Sequence, residues 1–292
     1  MTESFRAAVH AVVDGDEGTL RTLLDERPAL VAERGAAPFQ ATLLHYVAAN
    51  GVEDEFQRTP ENAPAIGAIL LESGAEPDAV ATAYGRSVTP LEMLVSSRPP
   101  FERGVQEALV RVLVGGGAEP DGPSGGGIPL TTALVFGYTG AAETLVQLGA
   151  RHDNLFAAAG LGKLGQVQRW FGSDGRLQAG SLRGYEAIRP EEQSQDAASI
   201  LQEAFHFAVT HGRAEVAEFL LERGADPNGR VRGHHCELPL IQALFVHSTN
   251  VVSWLLNVGA DPELIDNKRG ITAIEHVRRF GPARARVLLG LE

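Results

Sequence analysis

A chain of 292 residues with 44% hydrophobic side chains and a formal net charge of −12 can bury a sizeable core, either as two compact domains or as one elongated array. The acidic balance weighs against nucleic acid, because phosphate binding needs clustered Lys and Arg. The lone cysteine, Cys236, excludes an internal disulfide, and neither a secretory signal nor a membrane-length apolar run is visible, so the expectation is a cytoplasmic protein with no membrane association.

The first predicted unit, SFRAAVHAVVDGDEGTLRTLLDERPALV, places Ala8, Ala11 and Val12 on one helical face. Ser4 is its expected N-cap and Gly15 its stop, and Leu20, Leu23 and Leu24 supply a second helix. A second unit starts at Thr42 with TLLHYVAANG. After Gly51 the pattern breaks into the polar, Pro-bearing stretch 52–65, then a helix resumes at about Ala65 and LLESGAEPD closes the unit at Asp78. The third unit opens with Thr89-Pro90-Leu91, has an insertion at 97–104 and continues with a helix over Val105 to Val114. Both insertions are expected to be tolerated surface decoration, since long loops cost little stability; the other reading is a composite lip for a partner.

The fourth unit, IPLTTALVFGYTGAAETLVQLGA, has no insertion. The fifth starts at Asp153, only 25 positions after Ile128, whereas full units need about 33, so helix should pack directly on helix at that junction. Gly160 and Gly162 are expected to weaken its first helix by about 1 kcal/mol each relative to Ala, and Trp170 and Phe171 to fill the core in place of a Leu pair. Residues 173–200 form the longest departure, a connecting segment too apolar for a free linker; Pro190-Glu191-Glu192 then reads as the start of a long helix from about Glu191 to Val209. The sixth unit, EAFHFAVTHGRAEVAEFLLERGADPN, is the most regular: Gly212 and Gly224 stop its two helices, and Asp226, Pro227 and Asn228 turn the chain. The seventh, LPLIQALFVHSTNVVSWLLNVGADPE, and the eighth, ITAIEHVRRFGPARARVLLGLE, follow; the arginines of the eighth suit a solvated cap or, as the less common reading, an anionic partner.

The sixth unit, above all LLERGADPN, resembles the ankyrin repeat, with signature T-P-L-H-x-A-A-x-x-G and then L-L-x-x-G-A-D-x-N. Thr42, Leu44, His45, Ala48 and Gly51 match its first half, as does His206; Thr89-Pro90-Leu91 matches with Glu92 in the His position. The resemblance extends over almost the whole chain. It implies an all-α ankyrin-repeat solenoid of about eight helix-turn-helix units with finger loops: repeats over 1–172, the segment 173–200, and repeats over 201–292. A unit of this kind buries one face only and needs neighbours to cover it. The resemblance makes His45 structural, bonding turn backbone. The Ala, Gly and Arg content suggests a bacterial source.

No catalytic constellation emerges, so neither an enzyme nor a cofactor is expected. Gly-rich GPSGGGIP lacks the lysine and strand of a phosphate loop. His206, His211, His234, His235 and Cys236 could in principle supply zinc ligands, but their spacing matches no recognised pattern; a small-ligand or metal-binding regulatory module there is the alternative reading. The resemblance places the two residues before each first-helix Gly, and the finger tips, on the concave binding face. These pairs run from Ala49–Asn50, Ser96–Ser97, Val135–Phe136 and Gly160–Leu161 to Thr210–His211, Phe245–Val246 and Arg279–Phe280. The expected partner contacts are Tyr84, Arg86, Phe136 and His211, together with Arg230, Arg232, Phe245 and Phe280. The implied function is a scaffold or adaptor that recognises another protein, with self-association also open.

Overall fold

Short helices punctuated by Gly turns account for most of the chain. The structure, a computed structural model, describes residues 1–178, 196–231, 236–246, 248–281 and 283–291. Among them the helices form eight successive pairs, and one two-stranded hairpin interrupts an otherwise all-α chain. The chain divides into two units: residues 1–133 with 140–151, and residues 134–139 with 152–292.

In the first unit, α1 (Glu3–Asp14) and α2 (Glu17–Glu26) are followed by α3 (Leu43–Val47) and α4 (Ala63–Glu72). Next come β1 (Ala81–Ala83) and β2 (Arg86–Val88), then α5 (Pro90–Leu94), a short α6 (Arg98–Glu102) and α7 (Gln106–Gly115). First helices stack on first helices, α1 on α3 and α3 on α5, while α2 packs on α4 and α4 on α7. This two-layer arrangement buries the apolar side of each pair against its neighbours, as a one-sided repeat requires. Thr2, not Ser4, caps α1: its hydroxyl accepts from the Phe5 N–H at 3.2 Å.

The insertion 52–65 is not surface decoration. Phe56 is 1% exposed and sets its ring edge-on to Tyr46 and His10, with centroids 5.7 and 5.3 Å apart. Tyr46 donates to Glu53 at 2.8 Å, Arg58 pairs with Asp14, and Asn62 donates to the Gly15 carbonyl at 2.9 Å. The loop therefore closes back over the first helix pair. Helix α4 starts at Ala63, two residues before the expected point. The second insertion, 97–104, folds into α6, and Gln106 ties it down by donating to the Leu94 and Ser97 carbonyls at 2.9 and 3.2 Å.

Helices α8 (Ile128–Val135) and α9 (Thr139–Gln147) come next, followed in the second unit by α10 (Leu155–Gly160) and α11 (Leu164–Gln168). Then come α12 (Ala197–Thr210), α13 (Ala214–Leu221), α14 (Pro239–Phe245) and α15 (Thr249–Asn257), and finally α16 (Ala273–Phe280) and α17 (Ala283–Leu288). Again α10 packs on α12, α12 on α14 and α14 on α16. Gly160 is a requirement of this packing rather than a weakness: a Cβ there would lie 2.9 Å from Leu134 Cδ2 and 3.2 Å from His211 Cδ2. Trp170 and Phe171 are only half-buried; Phe171 stacks edge-on with Phe219, whose ring also carries the Arg223 guanidinium. The described part of the long helix begins at Ala197, where Asp196 caps Ser199 at 2.9 Å. The expected start at Glu191 and most of the connecting segment lie outside the described residues.

Candidate functional site: finger tips and the ends of the first helices

Local chemistry builds the finger of the first unit. Tyr84 and Gly85 join β1 to β2 as a two-residue loop, with Ala83 paired to Arg86. Both loop residues have positive φ, +54° and +74°, as the hairpin turn that matches strand twist demands. Glycine adopts this conformation freely; tyrosine is strained in it. His45, buried in α3, holds the strand from one side. Its Nδ1 accepts from the Thr42 N–H and hydroxyl at 3.1 and 2.8 Å, so its Nε2 carries the proton and donates to the Val88 carbonyl at 3.2 Å. Burial drives the His45 pKa down from 6.5 to about 4, with the charge of Arg34 adding to the effect. Glu92, in place of the motif His, holds the strand from the other side through Arg86 at 2.9 Å. Arg86 is thus committed to an internal ion pair as well as facing solvent.

The tip itself projects outward. Tyr84 is 66% exposed, and its hydroxyl donates to Asn50 Oδ1 at 2.5 Å. Asn50 Nδ2 donates in turn to Ser96 Oγ at 2.9 Å, which donates to the Met93 carbonyl at 2.9 Å. A polar line thereby joins the finger tip to the ends of α3 and α5. Of the expected pairs in this unit, Asn50 and Ser96 reach this surface, whereas Ala49 and Ser97 are buried.

In the second unit the expected row divides more sharply. Val135, Leu161, Thr210 and His211 are buried. His211 cannot serve as a surface contact: its Nε2 donates to the Leu134 carbonyl at 2.8 Å and its Nδ1 accepts from the Thr139 hydroxyl at 2.6 Å. Phe136 is half-buried and stacks on Tyr138. Phe245 and Phe280 do stand out, at 38% and 67% exposure. The Arg269 guanidinium lies over the Phe245 ring at 4.7 Å. Arg230 pairs with Glu237 at 3.2 Å and donates to the Ile265 carbonyl at 2.6 Å. Arg232, His234 and His235 lie outside the described residues.

Sequence reasoning missed Asp266. This fully buried carboxylate belongs to the last finger, yet it accepts from the Glu237 and Leu238 N–H groups at 2.6 and 3.0 Å. Leu238 replaces the motif Thr and has no hydroxyl to cap α14; Asp266, from the following repeat, instead holds the two amides that lead into the helix and sets a carboxylate near its positive end. No local sequence signal announces a hydrogen-bond acceptor 28 residues away.

Of the candidate metal ligands, His234 and His235 lie outside the described residues. Among the described residues no group of three or more His, Cys, Asp or Glu side chains is placed to hold an ion. Burial pushes the Cys236 thiol up to about 11, so at neutral pH the free thiol is protonated and a poor nucleophile. Iodoacetamide is expected to leave Cys236 unmodified in the folded protein and to alkylate it fully in denaturant, by intact mass; rapid native alkylation would contradict this burial.

Comparison with known proteins identifies one of the repeats. The ankyrin repeat family profile matches residues 203–231, the regular unit formed by α12 and α13. No curated protein matches the sequence. Among solved structures, the human ASB11 ankyrin repeat domain is similar over 86% of this chain and 98% of its own, at 18% identity and a TM-score of 0.35.

Proposed function

We propose that this chain, whose residues 203–231 match the ankyrin repeat, is a non-catalytic scaffold that recognises a partner protein through its finger tips and the adjoining ends of its first helices. Ankyrin repeats in general mediate protein–protein interaction. The observation that carries the reading is Tyr84: an aromatic side chain displayed at a hairpin tip in a backbone conformation that costs it about 1 kcal/mol or more. Strain retained at an exposed position points to selection for the side chain, and Tyr is a frequent anchor of interface hot spots. The hydrogen-bonded line through Asn50 and Ser96 fixes the tip before a partner arrives, which lowers the ordering cost of binding. In the second unit, Phe245 and Phe280 offer the corresponding apolar contacts, and Arg230 a cation at the finger.

Tyr84→Asn tests this directly. Asn tolerates positive φ and makes the favoured Asn-Gly turn, so thermal stability is expected to hold or rise by up to about 1 kcal/mol. Affinity capture from native lysate is expected to lose the partner retained by wild type. A variant that stays folded and keeps the same partner would remove Tyr84 from the recognition surface.

A further inference from the structure

Charge is distributed very unevenly along this acidic chain. Residues 267–291 carry six Lys and Arg against a single Glu, a net of +5, which leaves −17 for the remainder. The basic residues concentrate on the last helix pair, where Arg278, Arg279, Arg284 and Arg286 are all exposed. Among the described residues, no acidic side chain forms an ion pair with any of the four.

Two of these arginines share a cleft. Arg278 and Arg286, with Gly290 and Leu291, line a hollow of about 270 Å³. Arg286 Nη2 donates to the Arg278 carbonyl at 3.4 Å, which draws it towards the end of α16. Two guanidinium ions at one hollow, with no acid paired to either among the described residues, repel each other, and a bound anion reverses the sign of that interaction. Guanidinium forks match carboxylate geometry. On the same helix pair, Phe280 and Val287 are 67% and 60% exposed, although the His276 ring lies against one side of Phe280.

We propose that this last helix pair binds an acidic peptide segment of a partner protein, carboxylates seated at Arg278 and Arg286 and an apolar side chain against Phe280 or Val287. The inference rests on the protein-recognition reading and gives the partner its chemistry. The mixed surface favours a peptide over nucleic acid: a phosphate backbone would satisfy the arginines yet leave the apolar side chains without a match.

The test is fluorescence anisotropy on the full chain with a labelled peptide alternating Glu-Glu and Leu-Phe, set against a single-stranded oligonucleotide of equal charge. Saturable peptide binding is expected, weakening as salt rises from about 0.05 to 0.5 M. Arg278→Glu/Arg286→Glu is expected to weaken it by about tenfold or more, whereas Arg284→Glu, outside the cleft, is expected to change it by less than about threefold. Arg278→Gln/Arg286→Gln replaces the reversal if circular dichroism shows the latter misfolded. Equal binding by the cleft variant, tighter binding of the oligonucleotide, or no saturable peptide binding would each overturn the proposal. If the peptide fails while a partner is still captured through Tyr84, only the acidic-segment assignment falls.

Discussion

Between pH 6.5 and pH 4 the wild-type chain is expected to lose roughly 3 kcal/mol more unfolding free energy than a His45→Gln variant. The sign follows from burial. His45 is fully buried and its pKa is lowered from 6.5 to about 4, so over that window the unfolded chain binds a proton that the native chain refuses. Stability therefore rises with pH across the window and falls as pH drops through it, by up to about 1.4 kcal/mol per pH unit. At pH 7 the order is reversed: the variant loses the bond to Val88 and is expected to be less stable by about 1–3 kcal/mol. Urea midpoints of the two proteins at several pH values separate this from the general acid effect, because the carboxylates titrate in both. Parallel pH profiles would show that His45 is not the group responsible.

Phe56→Ala is expected to destabilise the protein by about 3–5 kcal/mol, a large fraction of the 5–15 kcal/mol typical of a domain. The ring is 1% exposed and bridges Tyr46 in α3 to His10 in α1, so its loss opens a cavity between two repeats. Phe101→Ala, in the other insertion and 50% exposed, is expected to cost about 1 kcal/mol or less. Comparable small losses for both substitutions in chemical denaturation would return the first insertion to the status of a tolerated loop.

The repeat architecture was legible because its signals are local. Gly stops, Thr caps and paired Leu at helical spacing located the helix pairs, and the match of His45 to its motif position identified its structural role. What stayed hidden depends on partners distant in sequence. Nothing in VEDEFQRTPENAPA says that Phe56 turns inward, because its cover comes from α1 and α3. His211 was placed on the binding face by its position before Gly212, and only Leu134 and Thr139, more than 70 positions earlier, hold it inside. Gly160 read as a weak helix former until the close approach of Leu134 gave it a reason. Of the candidate surface, Tyr84 and Arg86 lie at the finger, and Phe245 and Phe280 are exposed. Asn50 and Ser96 were anticipated as positions, but not as a bonded line with Tyr84.

The position of Asp266 has a consequence for how the second unit comes apart. Because the next finger holds the two amides that lead into α14, the two repeats are expected not to melt independently: releasing the last one takes the acceptor from the Glu237 and Leu238 amides. In a one-dimensional lattice of repeats, this places part of the free energy in the nearest-neighbour coupling rather than in either site. Fraying from that end should therefore advance in steps of two repeats, and amide exchange should give α14 and α16 a shared opening rate instead of a graded series.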